Sequence, residues 1–220
     1  MIDFLQKLIH IATKIFFPEH CLRCGRPDIL LCDTCNKKLT PSFSTEENII
    51  TALSYSDPVV RRLVWLLKYR GSESATEILA QHLEEAILQT LSDLPDFFVS
   101  QEKILLVPIP MTARHRRRRG WNQAERLAEA LARLSPTSFE ITPVLIKTRE
   151  TKNQVHCQTK TERLTNLKGA FSLQETAEIK GRIVLVVDDV TTTGSTLAEA
   201  MRVLNQKPPR RLYGAVVAHG

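Results

Sequence analysis

Apolar residues recur along this chain with two different periods, and the changes of period mark its elements. Ile183, Val184, Leu185, Val186 and Val187 stand in a row. An unbroken, mostly β-branched run of this kind predicts a strand buried on both faces, and therefore a parallel sheet. Residues 103–107 predict a second buried strand, and residues 49–55, 139–146 and 211–217 predict three more. Between these runs the period lengthens. Residues 58–70 open with Asp57 and Pro58, place Val60, Leu63, Val64, Leu66 and Leu67 on one face, and stop at Gly71. That is the signature of a capped amphipathic helix. Residues 73–91 and 122–134 predict two further helices, the second with Ala124, Leu127, Ala128, Leu131 and Leu134 inward. Leu197, Ala198, Ala200, Met201 and Leu204 carry helical spacing on from the 183–187 run. Strands alternating with helices predict an α/β fold, a parallel sheet flanked by helices. Trp65 and Tyr69 lie one turn apart and are expected in the core, although Tyr69, between Lys68 and Arg70, is also placed to face an anion.

The first 45 residues read differently. Leu5, Leu8, Ile9, Ala12, Ile15 and Phe16 predict an amphipathic helix over 2–16, stopped by Pro18. We expect its apolar face to pack on the rest of the protein. Lys7 and Lys14 on its polar side leave a peripheral membrane contact as the other reading. Cys21, Cys24, Cys32 and Cys35 follow as two C-x₂-C pairs. Four thiolates in this pattern suit a closed, tetrahedral Zn²⁺ site, structural in role. Too few large apolar residues surround them to build a core, so the metal is expected to supply the folding energy. The chain therefore divides at 45/46, into a zinc-binding module with its helix and an α/β domain over 46–220.

Composition changes this picture little. Hydrophobic residues make up 43% and charged residues 25% of 220, as in ordinary globular proteins. A net charge of +6 permits an anionic partner without requiring one. No apolar run is long enough to span a bilayer, and no secretory signal is evident. A cytoplasmic protein is expected, with the inner face of the membrane reachable through the first helix.

The chemistry concentrates behind the central strand. Asp188 and Asp189 follow it directly, then Thr191, Thr192, Thr193, Gly194, Ser195 and Thr196 at the start of a helix. Converging backbone N–H groups, a helix dipole and the lack of bulky side chains make such a turn a phosphate site. A helix cap needs one hydroxyl, and here five surround one glycine. Two carboxylates at the mouth of a phosphate site fit if they hold sugar hydroxyls or hydrated Mg²⁺. A second feature is Arg114, His115, Arg116, Arg117, Arg118 and Arg119, followed by Gly120 and Trp121. A charge run is usually a solvated face. This one is single-signed and dense, and an aromatic ring stands beside it, which is the combination that single-stranded nucleic acid uses. Pro108, Ile109 and Pro110 stiffen the loop after the second buried strand, at a place where ligands bind in parallel sheets. Residues 147–166 are polar and basic and read as a lid; Cys157 within them reads as an ordinary thiol.

The stretch 183–196 resembles the ribosyl-phosphate motif of type I phosphoribosyltransferases. Several pieces together resemble the ComF family. They are the four cysteines, Leu67-Lys68-Tyr69-Arg70-Gly71, Val107-Pro108-Ile109-Pro110, Arg119-Gly120-Trp121-Asn122-Gln123-Ala124-Glu125, the spacing of Gln154, Arg163 and Asn166, and the acidic pair. Met111-Thr112-Ala113 departs from the triplet usual in that family. The resemblance implies a type I phosphoribosyltransferase-like domain in which Asp188 and Asp189 grip ribose and the 191–196 loop grips the 5′-phosphate of phosphoribosyl pyrophosphate, with Mg²⁺. It also implies a role in natural competence, with single-stranded DNA and a helicase-like protein as partners. The alternative is an active phosphoribosyltransferase acting on an amine or base. Thr192 stands where purine-salvage members of that fold place a proton-accepting Asp, which argues against purine salvage.

Overall fold

The computed structural model describes residues 19–42, 48–92, 102–148 and 168–220. The predicted first helix, the 45/46 boundary and residues 149–167, with Gln154, Cys157, Arg163 and Asn166, lie outside the described residues. In chain order the elements are α1 (Asp33–Asn36), β1 (Ile49–Ser54), α2 (Pro58–Arg70), α3 (Glu73–Ser92), β2 (Ile104–Pro108), α4 (Ala113–Arg119), α5 (Gln123–Leu134), β3 (Phe139–Ile141), β4 (Leu145–Lys147), β5 (Phe171–Leu173), β6 (Ile183–Thr191), α6 (Ser195–Leu204) and β7 (Arg211–His219).

Five strands form one sheet in the order β1-β7-β6-β2-β3, and every neighbouring pair is parallel. The chain leaves β2 toward β3 and leaves β6 toward β7, in opposite directions across the sheet. The strand order therefore reverses between β2 and β6, and a crevice opens at their carboxyl ends. β6 is central and apolar on both sides. Ile183, Leu185 and Val187 join a core under α2, α3 and α5, while Val184 and Val186 join a second core under α6. The alternation of the strand thus serves two layers at once. α6 lies so close to β7 that a Cβ on Gly214 would stand 2.9 Å from Leu197 Cδ1.

Leu134, expected inward at the end of its helix, is exposed, because the helix ends there at Ser135, and two larger expectations needed correction. The strand predicted over 139–146 is two strands, because Pro143 lacks an N–H to continue the ladder. β3 stays in the main sheet, and β4 pairs antiparallel with β5 instead. Trp65 and Tyr69, expected in the core, are on the surface, 36% and 57% exposed. α2 buries Val59, Val60, Leu63, Val64 and Leu67, and that stripe leaves both rings on the outward side.

The cysteine module does not stand apart. Leu30, Leu31 and Leu39 share a core with Leu53, Val59 and Leu63. The link converges on Asp57, which is buried. Its Oδ1 accepts from Val59 N at 2.8 Å and so caps α2, while Arg23 Nη2 lies 2.8 Å from Oδ2. Burial opposes ionisation, but the Val59 N–H and the Arg23 guanidinium outweigh it and hold this carboxyl below its usual range. His82 on α3 adds a ring-nitrogen contact to Asn36 Oδ1 at 2.8 Å.

Candidate phosphoribosyl site and metal centre

β6 runs further than the apolar pattern suggests, to Thr191, and so carries both carboxylates on its last turn of ladder. Asp188 and Val190 still pair with Val216 and Ala218 of β7. Across the crevice, Ile109 N donates to Val187 O at 2.9 Å, so the proline-stiffened loop begins level with the acidic pair.

Asp189 is buried, and its Oδ1 accepts from its neighbour Val190 N at 2.8 Å. Its Oδ2 receives no well-angled hydrogen bond, yet Lys68 Nζ stands 3.0 Å away. The distance matters more than the angle for an ammonium, which is a compact point charge with three rotatable donors. Burial works against the charge on Lys68, but Asp189, its hydrogen bond and Asp188 outweigh that and raise the Lys68 pKa. Asp188 is only half-buried, but burial and the neighbouring Asp189 push its carboxyl up to about 7, against the Asp189 N–H and Lys68. Asp188 therefore changes charge near neutrality, beside the Lys68–Asp189 ion pair.

The loop behind the pair is shaped by one glycine. Gly194, at φ 67°, precedes α6, and Thr191 Oγ1 accepts from its N–H at 3.1 Å. Thr193 and Ser195 hydroxyls lie 2.8 Å apart. α6 has no side-chain cap at its N-terminus. Its first turn therefore offers N–H groups and the positive end of the dipole to an external anion.

Lys68 is the residue that sequence reasoning missed. It was legible as part of a basic last turn and of the Leu67-Lys68-Tyr69-Arg70-Gly71 resemblance, but with no role attached. Its position is fixed by a clasp from the segment after the arginine run. Trp121 Nε1 donates to Leu67 O at 3.0 Å, and Arg126 donates to Gly71 O. Gly71, at φ 56°, ends α2, and a Cβ there would meet Trp121 at 3.1 Å and Arg126 at 2.9 Å. Asn122 is buried; it caps α5 through Ala124 N and donates to Ile109 O at 2.9 Å. The indole of Trp121 is half-buried, with the Arg126 guanidinium 5.1 Å from its centroid. The arginines before it form α4. Arg114, Arg116, Arg117 and Arg118 are exposed and Arg119 is half-buried. Arg116 forks onto Glu125, at 3.1 and 2.5 Å, and Arg119 donates to Gln123 Oε1 at 2.7 Å.

The four cysteine sulfurs lie within 4.8 Å of one another, and Cys21 and Cys24 each stand 3.8 Å from Cys32. A disulfide would need about 2 Å, whereas tetrahedral zinc–sulfur bonds of about 2.3 Å place two sulfurs about 3.8 Å apart. Burial raises the Cys21 thiol, but the N–H groups of Cys24, Cys32 and Arg23 outweigh it and draw it down to about 5. Cys35 is pushed up to about 12 by burial and by its sulfur neighbours. Four thiolates cannot share this space unless a cation sits among them, so the donor set fits a metal ion.

The phosphoribosyl transferase domain family matches residues 117–220. The chain is 33% identical to the DNA utilization protein YhgH of Escherichia coli K12 over 191 residues, covering 84% of this chain and 77% of that one. It is 36% identical over 194 residues to Competence protein F of Haemophilus influenzae, covering 86% and 80%. The chain belongs to the ComF family. Competence protein ComFC of Bacillus subtilis is 27% identical over 192 residues, covering 85% and 72%. Among the described residues, no helix is long and apolar enough to cross a membrane.

The raised Asp188 pKa has a consequence for stability. The folded state holds that proton more tightly than an unfolded chain, whose Asp titrates near 3.8. Stability is therefore lost as pH rises from about 4 through 7. Asp188→Asn carries no charge and escapes this loss. Its melting temperature should exceed that of wild type at pH 8, by roughly 2–4 °C per kcal/mol recovered, with the gap closing toward pH 4. A variant that melts lower than wild type at pH 8 would contradict the assignment.

Proposed function

We propose that this ComF-family protein binds phosphoribosyl pyrophosphate and single-stranded DNA, and that it serves in the handling of incoming DNA. One observation carries the phosphoribosyl half: a carboxylate pair with its own half-buried lysine lies beside a helix N-terminus that has no side-chain cap. Asp188 and Asp189 would face ribose hydroxyls or a hydrated Mg²⁺, which would supply charge neutralisation for the pyrophosphate. The 191–196 loop would hold the 5′-phosphate by backbone N–H groups and hydroxyls. Lys68 stands 3.0 Å from Asp189 and holds it in place. The relatives named for competence and DNA utilization support the DNA half, as does the cationic α4.

The Cys21, Cys24, Cys32 and Cys35 set is assigned to one structural Zn²⁺. Elemental analysis should find one zinc per chain, and a folded, metal-free module would refute the assignment.

Titration calorimetry with phosphoribosyl pyrophosphate should give a signal that requires Mg²⁺ and is lost in Asp188→Ala/Asp189→Ala. Unchanged affinity in the single variant Asp188→Asn, which keeps the Lys68 pair, would place the ligand elsewhere.

For DNA, Arg117 and Arg118 are exposed and have no hydrogen bond or ion pair with other described residues. Arg114, Arg116 and Arg119 flank them, and Trp121 is the ring beside the run. Counterion release on a single strand contributes about −0.7 to the log–log salt slope for each phosphate neutralised. Arg117→Ala/Arg118→Ala should flatten the slope by about 1.4 in an anisotropy titration. An unaltered slope would move the DNA off α4.

A further inference from the structure

The outward face of α2 is a ladder of rings and guanidinium groups that no part of the phosphoribosyl site uses. Arg62 lies 4.5 Å from the Trp65 ring centroid and Arg70 lies 5.8 Å from it. Trp65 and Tyr69 follow at 5.8 Å, centroid to centroid, and Arg119 of α4 stands 5.4 Å from the Tyr69 ring. Spacings of three and four residues put Arg62, Trp65 and Tyr69 along one side of the helix. The ladder therefore runs without a break from α2 onto the arginine helix.

Charge selects the occupant. α2 holds Arg61, Arg62, Lys68 and Arg70, α4 holds five arginines, and neither helix contains an Asp or Glu. Lys68 is committed to Asp189 on the inner side, and Arg61 to the carbonyls of Tyr55 and Ser56. Arg62 and Arg70 on the outer side sit against the Trp65 ring and Arg119 against the Tyr69 ring, while Arg116 is held by Glu125. An acidic protein surface would need only the charges. Two exposed rings interleaved with planar cations also offer flat surfaces for unpaired bases, which charge alone does not require.

We infer that the outward face of α2, with Trp65 and Tyr69 as base-stacking rings and Arg62, Arg70 and Arg119 as flanking cations, is a binding surface for single-stranded nucleic acid that continues onto α4. The inference rests on the reading of this chain as a DNA binder, and it makes the two rings, not the clasped Trp121, the main stacking platform. A strand lying along the ladder presents its phosphates to α4 and its bases to α2.

Two probes separate stacking from charge: a labelled oligothymidylate, and a strand of equal length with abasic sites throughout. Trp65→Ala and Tyr69→Ala should each weaken binding of the first at least about fivefold and leave the second unchanged. Trp65→Phe and Tyr69→Phe, which keep a ring, should hold most of the affinity. Arg117→Ala/Arg118→Ala should weaken both probes. Trp65→Ala should also bind phosphoribosyl pyrophosphate as wild type does, which excludes a general loss of fold. If the ring variants bind oligothymidylate as wild type does while the arginine variant loses it, this inference fails and the DNA reading stands. If the ring variants lose both probes equally, the surface acts by charge alone and the inference fails. If wild type binds neither probe, the DNA reading fails and takes the inference with it.

Discussion

A strand buried on both faces that ends in two carboxylates must have a cation brought to it. β6 has no side chain of its own to offer, and its neighbours β2 and β7 are apolar where they flank it. Lys68 meets that need from another element, across the top of the sheet. An ammonium half out of water and an aspartate within the fold are each costly alone, and removing one partner leaves the other uncompensated. The architecture of this end of the molecule is therefore arranged to keep α2 in register with β6.

Both ends of α2 are fixed, by different means. At the start, Asp57 serves as helix cap and as acceptor for Arg23, which lies within the first cysteine pair. At the end, Trp121 and Arg126 occupy the carbonyls of Leu67 and Gly71, on either side of Lys68. Among the described residues, the cysteine module thus reaches the acidic pair through a helix, and it bears on where that helix begins. Asn122 extends the clasp to the loop after β2, so the two walls of the crevice are referred to one short segment. A positioning network of this kind holds side chains through backbone carbonyls, which tolerate little drift.

Much of the fold was legible because the apolar runs are strong. The central strand, the capped helix at 58–70 and the glycine-centred loop all follow from local patterns, and the parallel sheet follows from the two-sided burial of β6. The failures share a cause: they depend on partners distant in sequence. Pro143 was visible, but its effect depended on Phe171–Leu173 being available to pair. Lys68 looked like any basic residue in a last helical turn until β6 brought Asp189 to it. Trp121 looked like a free ring beside arginines, and the carbonyl it serves lies 54 residues away. Trp65 and Tyr69 were misplaced because large rings are buried more often than not, and here the five aliphatic residues of α2 already fill its inner stripe.

That exposure asks for an account, because two rings on a solvated face gain no burial. Guanidinium groups on a helix that carries no carboxylate of its own repel one another, and a ring face between them is a weak but neutral partner. The arrangement lowers the cost of keeping cations close without cancelling their charge, as Glu125 does for Arg116. A surface tuned only for solubility would intersperse acids along the helix. α2 instead segregates its chemistry, with aliphatic residues inward, one lysine turned to the sheet, and rings and arginines outward. The same helix that brings a cation to the acidic pair thereby carries, on its far side, a face that retains its positive potential.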